Sequence, residues 1–202
     1  MQNVTVSLLL IVTAYAAGSI PFGFLLAKTN GIDIRTQGSG NIGATNLTRT
    51  LGRKWGITCF FLDFAKGLLP VIAAAAWSDS VPVPVLAAGA AVAGHVWPVF
   101  LHFKGGKGMA TSIGALLALA PWSVIMAVLV WGILFLLTRY VSLASLGAAV
   151  ILPLSTVVVH ENTITIILLT VIAVVIIARH RSNIVRLLRG EEHRFQKKKR
   201  LL

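Results

Sequence analysis

Apolar stretches separated by short polar islands organise this chain. Residues 4–27, 55–77 and 83–101 each form a run near the roughly 20 apolar residues that cross a ~30 Å hydrocarbon core. Two further runs, 143–159 and 163–178, are joined by the short turn His160-Glu161-Asn162. Gly18, Ser19, Pro21 and Gly23 predict a kink or close packing late in the first run. Its Ala14-Tyr15-Ala16 mimics a signal cleavage site, but no positive segment precedes it, so the run is read as a retained helix. The stretch 109–138 admits two readings. One long helix would place Arg139 and the basic tail on the outer side; a short helix to 120, a turn at Pro121 and a helix over 122–137 places both inside. A half-length helix is tolerated where protein covers it.

Charge decides between them. The second reading gives an all-α integral membrane protein of about seven transmembrane helices, one of them short, with the N-terminus outside and the C-terminus cytoplasmic. Lys28, Arg35, Arg49, Arg53 and Lys54 then share one side with Lys104, Lys107, Arg139 and every cation from Arg179 to Arg200. Only Lys66 of the 18 Lys and Arg residues is left within a span, and the outer loops carry Asp79 and Glu161 alone. That siding follows the positive-inside rule. It also accounts for a net charge of +12, which in a soluble protein would point to nucleic acid.

Composition agrees. The chain has 202 residues, 56% hydrophobic and only 12% charged, where a soluble domain carries about a quarter charged residues. Mean hydropathy is +0.86. The single cysteine, Cys59, reads as a small buried hydrophobe. Residues 1–202 read as a single membrane-integral domain with a basic cytoplasmic tail over 190–202. The run 196–202 reads as an anionic-lipid contact or a solvated end.

Three islands carry candidate chemistry. The first spans 35–49, where Gly38, Gly40 and Gly43 allow close backbone approach to a ligand. Ser39, Asn41, Thr45 and Asn46 add short hydrogen-bonding groups, and Arg49 adds a fork suited to phosphate. Exposed amides in such a loop form an anion nest. It is not a Walker A loop, since no Gly-Lys-Ser/Thr follows at the required spacing. The second, Lys104-Gly105-Gly106-Lys107-Gly108-Met109-Ala110-Thr111, leads into the short helix and offers amides and a movable cation. The third begins at Arg179. If the last helix continues, His180, Asn183 and Leu187 share a face with Arg186 beside it, while Ile184, Leu187 and Leu188 lie along the bilayer surface. Asp63 and Lys66 are three apart in one span and read as a buried pair; His95 reads as a core hydrogen-bonding residue that could line the same cavity.

Gly38-Ser-Gly-Asn-Ile-Gly-Ala-Thr-Asn46, Lys104-Gly-Gly-Lys-Gly-Met-Ala-Thr111 and His180-Arg-Ser-Asn-Ile-Val-Arg-Leu187 strongly resemble the three signature motifs of the bacterial acyl-phosphate-dependent glycerol-3-phosphate acyltransferase family. The resemblance extends to Asp63-Phe-Ala-Lys66 and to His95-Val-Trp-Pro-Val-Phe100. It implies acyl transfer from a fatty acyl phosphate to the 1-hydroxyl of glycerol 3-phosphate, giving 1-acylglycerol 3-phosphate and inorganic phosphate, the first step of phospholipid synthesis. It implies no acyl-CoA or acyl-carrier-protein donor, no cofactor and no metal, and a site facing the cytoplasm from the bacterial inner membrane. By motif position, His180, Ser39 and Asn183 are the catalytic candidates. Gly38, Gly40, Asn41, Thr45, Asn46, Arg49, Lys104, Gly105, Gly106, Lys107, Thr111 and Arg186 are the candidates for substrate and phosphate binding.

Two other classes compete. A small transporter of phosphate compounds could use the same basic loops as gates, but the sequence lacks inverted-repeat symmetry. A membrane-anchored nucleic-acid binder is disfavoured because the aromatic residues lie in the spans, not among the cations. No obligate protein partner is implied.

Overall fold

In a computed structural model of the protein, the structure describes residues 4–195. The tail 196–202, with its anticipated lipid contact, lies outside the described residues. Within them the chain is helical throughout, with no strand. In hydrocarbon a helix satisfies its own backbone groups, which is why apolar runs fold this way.

The first run is broken where its glycines and proline predict. Helix α1 (Val4–Ser19) gives way at Ile20 and Pro21 to α2 (Phe22–Lys28). A loop with a 3₁₀ turn leads to α3 (Ala44–Leu51), then α4 (Arg53–Trp77) and α5 (Pro82–Val96). Helix α6 (Met109–Leu117) is nine residues, and α7 (Pro121–Thr138) starts on Pro121, whose missing N–H costs nothing at a helix start. The anticipated break is therefore present. Arg139, in the left-handed region at φ 63°, reverses the chain into α8 (Val141–Val159). The Asn162 side chain accepts from the Thr165 amide at 3.0 Å and caps α9 (Thr163–Arg179). Last comes α10 (Arg181–Leu188).

Among the described residues, five spans are long and apolar enough to cross a membrane, six if α9 and α10 are taken together across their 57° bend. The last helix does not run straight on there: the chain turns at His180. The short α6 is kept in place by protein. Thr111, Ser112, Gly114, Ala115 and Leu116 are buried. Its contact with α4 is backbone on backbone, since a Cβ at Gly67 would lie 2.2 Å from the Thr111 carbonyl and one at Gly114 2.1 Å from that of Phe64. Small residues that admit such approach are the usual glue between helices in lipid.

The buried charges sit at this level too. Lys66 Nζ is 2.7 Å from Asp63 Oδ1 and donates at 2.7 Å to the carbonyl of Ile20, at the break beside Pro21. A buried pair survives only when further hydrogen bonds complete it, and the α1–α2 break supplies one. Cys59 is buried, its thiol 3.5 Å from Asp63 Oδ2.

Candidate functional site

The first island is organised by one side chain. Asn46, in the first turn of α3, is buried; its amide nitrogen donates to the carbonyls of Gln37 and Asn41 at 2.9 Å, and its oxygen accepts the Ser39 amide at 3.0 Å. Gly38 and Gly40 take φ of 56° and 69° to wrap the loop around it, and a Cβ at Gly38 would fall 2.3 Å from Asn46 Oδ1. This corrects the picture of an open amide nest. The Ser39 amide goes to Asn46, the Gly40 amide to Gln37 and the Gly43 amide to Asn41 Oδ1. Asn46 touches the cavity, but its amide is committed to holding the loop. On the loop's outer side Arg35 binds Asp33 at 2.7 Å, and its hydrogen bonds hold that carboxyl down at about 2.

The second island rests on the end of α5. The Gly105 and Gly106 amides donate to the carbonyls of Val96 (3.2 Å) and His95 (3.1 Å). The His95 ring is fixed by a 3.0 Å hydrogen bond between Nδ1 and the Thr111 hydroxyl, and lies 3.7 Å from Asp63. Thus Thr111 serves His95. Lys107 donates its ammonium to Asn183 Oδ1. Burial pushes the Lys107 ammonium down to about 8; Glu192 opposes the shift, while Arg186, Arg49 and Arg179 reinforce it.

At the third island, His180 Nδ1 lies 2.8 Å from the Ile176 carbonyl. A carbonyl only accepts, so Nδ1 carries the proton and Nε2 is left with its lone pair. Asn183 is oriented at both ends: its oxygen takes Lys107, and its nitrogen donates to Glu192 Oε1 at 2.9 Å. Glu192 also accepts from Ser142 (3.0 Å) and Arg186 (2.8 Å). Burial alone would raise its carboxyl, but the hydrogen bonds from Asn183, Arg186 and Ser142 win and hold it below the usual carboxylate range.

These elements enclose a cavity of about 390 Å³. Ser39, Asn41, Thr45, Asn46, Arg49, Lys107, His180 and Asn183 line it together. The other candidates lie elsewhere. Gly38 and Gly40 shape the first loop, and Gly105 and Gly106 form the seat of the second. Thr111 stands behind His95, Arg186 is occupied by Glu192, and Lys104 is exposed on the surface. Ser142, Ser145 and Glu192 were not anticipated; neither was the role of Arg179, which binds the Gly105 and Gly106 carbonyls. Glu192 ends the third island, at the head of the segment 190–202 read as a basic tail. A pair of acids inside a run of cations was its only mark in the sequence. Asp63 and His95 line the cavity as well, and Met109, Ile113, Val128 and Trp131 make its far wall apolar.

The family model for glycerol-3-phosphate acyltransferase matches residues 8–190. A glycerol-3-phosphate acyltransferase of Aquifex aeolicus (strain VF5) is 47% identical over 190 residues, covering 94% of this chain and 99% of the relative. That of Trichlorobacter lovleyi is 48% identical over 192 residues, covering 95% and 99%. The crystal structure of PlsY (YgiH), an integral membrane glycerol 3-phosphate acyltransferase, in its glycerol 3-phosphate form matches with a TM-score of 0.90 at 46% identity, over 94% of this chain and 96% of that one. Its lysophosphatidic acid form matches with a TM-score of 0.86.

Proposed function

The chain belongs to the glycerol-3-phosphate acyltransferase family, and from that premise we propose a donor, a site and a mechanism for its reaction. It acylates glycerol 3-phosphate to lysophosphatidic acid. The donor we assign is a fatty acyl phosphate. The observation that carries this reading is the convergence of Ser39 and Arg49, Lys107, and His180 and Asn183 on one cavity with an apolar far wall.

Both substrates then carry a phosphate, and the cavity offers two cations for them, Arg49 and Lys107. Arg186 is neutralised by Glu192, and Lys66 by Asp63. The acyl chain lies against Met109, Ile113, Val128 and Trp131, between helices, while glycerol 3-phosphate enters from the cytoplasmic side. Its 1-hydroxyl oxygen attacks the acyl carbonyl carbon, the bond from that carbon to the phosphate oxygen breaks, and inorganic phosphate leaves. The hydroxyl proton passes to the departing phosphate or to Nε2 of His180. Asn183 orients the acceptor, and the cations stabilise charge developing on the leaving group. An acyl phosphate is already activated, so an acyl-enzyme on Ser39 would gain little, and attack is direct. The positive-inside pattern of the cations supports a location in the bacterial cytoplasmic membrane with this cavity facing inward.

The test is release of inorganic phosphate by purified protein in lipid, supplied with acyl phosphate and glycerol 3-phosphate. Stoichiometric phosphate and lysophosphatidic acid are expected, with no product from acyl-CoA or acyl-carrier protein. Glycerol 3-phosphate moving across liposomes without turnover would refute the reading.

A further inference from the structure

Arg179 ends α9 one residue before His180, and its guanidinium is spent inside the protein. Nη2 donates to the Gly105 carbonyl at 2.9 Å and Nε to the Gly106 carbonyl at 3.2 Å. The amides of the same two glycines donate the other way, to Val96 and His95 at the end of α5. Two consecutive residues of the second island are therefore gripped from both sides, with acceptors from α5 and donors from α9. Neither residue can carry a side chain there, since a Cβ at Gly105 would lie 2.1 Å from the His95 carbonyl and one at Gly106 2.2 Å from His95 Nε2. The next residue is Lys107, whose ammonium reaches Asn183, one helical turn beyond Arg179. The 57° bend at His180 turns α10 aside, so Arg179 meets the loop while Asn183 meets the lysine.

We propose that Arg179 is a positioning residue for the acyl transfer: its fork locks the 105–106 peptides so that Lys107 stands over the cavity in register with His180 and Asn183. A guanidinium suits this task because its planar donors reach two carbonyls at once, and charge-assisted bonds are about twice as strong as neutral ones. A lysine ammonium is a point charge on a flexible stem and cannot hold both peptides in one plane.

The kinetic part of this inference rests on the proposed reaction, so the experiment has two arms. In the first, Arg179→Ala and Arg179→Lys are made in the native chain and in a Lys107→Met chain, and kcat/KM is read from phosphate release. Arg179→Ala should cost about 10- to 100-fold in the native background, because a displacement near 1 Å can cost that much. In the Lys107→Met background the same change should cost under about threefold, since residues acting through one another are not additive. Methylguanidine should restore part of the activity of Arg179→Ala, and Arg179→Lys should remain impaired. If Arg179→Ala does not fold, Arg179→Lys is carried through the same cycle. In the second arm, hydrogen exchange at 104–108 should rise in the Arg179 variants while the amides of α4 and α5 stay protected. An equal loss in both backgrounds, or unchanged exchange in the loop, overturns the proposal. A native protein that releases no phosphate refutes the assigned reaction instead, and the exchange arm still decides the role of Arg179.

Discussion

Adding one methyl group at Gly106 tests the site's construction most directly. A Cβ there would stand 2.2 Å from His95 Nε2 and 3.1 Å from the flanking ring carbons. To reach an ordinary contact of 3.4 Å, ring and loop must part by about 1.2 Å. The ring cannot easily yield: it is buried, tied to Thr111 at 3.0 Å and close to Asp63. The loop must lift instead, and Lys107, the next residue, moves with it. Overpacking of this kind costs about 1–3 kcal/mol of stability. Displacing a positioned cation by about 1 Å costs about 100-fold in kcat/KM. The assay is phosphate release at varied glycerol 3-phosphate and acyl phosphate, alongside thermal unfolding. Gly132→Ala is the control: Gly132 lies in α7 with nothing within 4 Å of a built Cβ, so the change should be neutral or stabilise by up to about 1 kcal/mol. A Gly106→Ala protein within threefold of native kcat/KM would refute the claim that this seat sets Lys107.

Burial pushes the Lys107 ammonium down to about 8, and a bound phosphate dianion favours its charged form. Capture of that substrate should therefore be full below pH 8 and weaken above it, by up to about tenfold per pH unit; a Lys107→Met protein showing the same alkaline limb would disprove the assignment. Glu192→Gln leaves an amide N–H facing Arg186 or Asn183, so stability should fall by about 1–3 kcal/mol, toward the lower end because Arg186 is 27% exposed. Turnover should fall too as Asn183 loses its orientation; unchanged melting and kinetics would show that the carboxylate is idle. Because the Glu192 carboxyl is held below its ordinary range, its stabilisation is present at neutral pH and is lost as pH drops through that lowered value, which acid unfolding of native and Glu192→Gln proteins can compare. Direct attack predicts no covalent adduct when the protein meets acyl phosphate alone; an acylated Ser39 peptide in mass spectrometry would overturn it.

The apolar periods and the places where helices stop are legible in the chain alone. Those are one-dimensional properties: a run of about 20 apolar residues, a proline without an N–H. Pro121 and Pro21 could thus be read as breaks without any knowledge of packing. The three polar islands were legible for the same reason, because nothing apolar explains their glycines and amides. Only the tertiary structure decided what each polar atom is used for. Whether the amide of Ser39 meets a ligand or Asn46, whether Arg186 is free or bound to Glu192, and whether Arg179 faces lipid or the Gly105 carbonyl depend on which helix ends meet at the cavity. Hydrogen bonds act over about 3 Å, yet Lys107 and Asn183 lie 76 residues apart and Arg49 and His193 144. No local pattern encodes such a pairing; the packing of α5, α6 and α9 does.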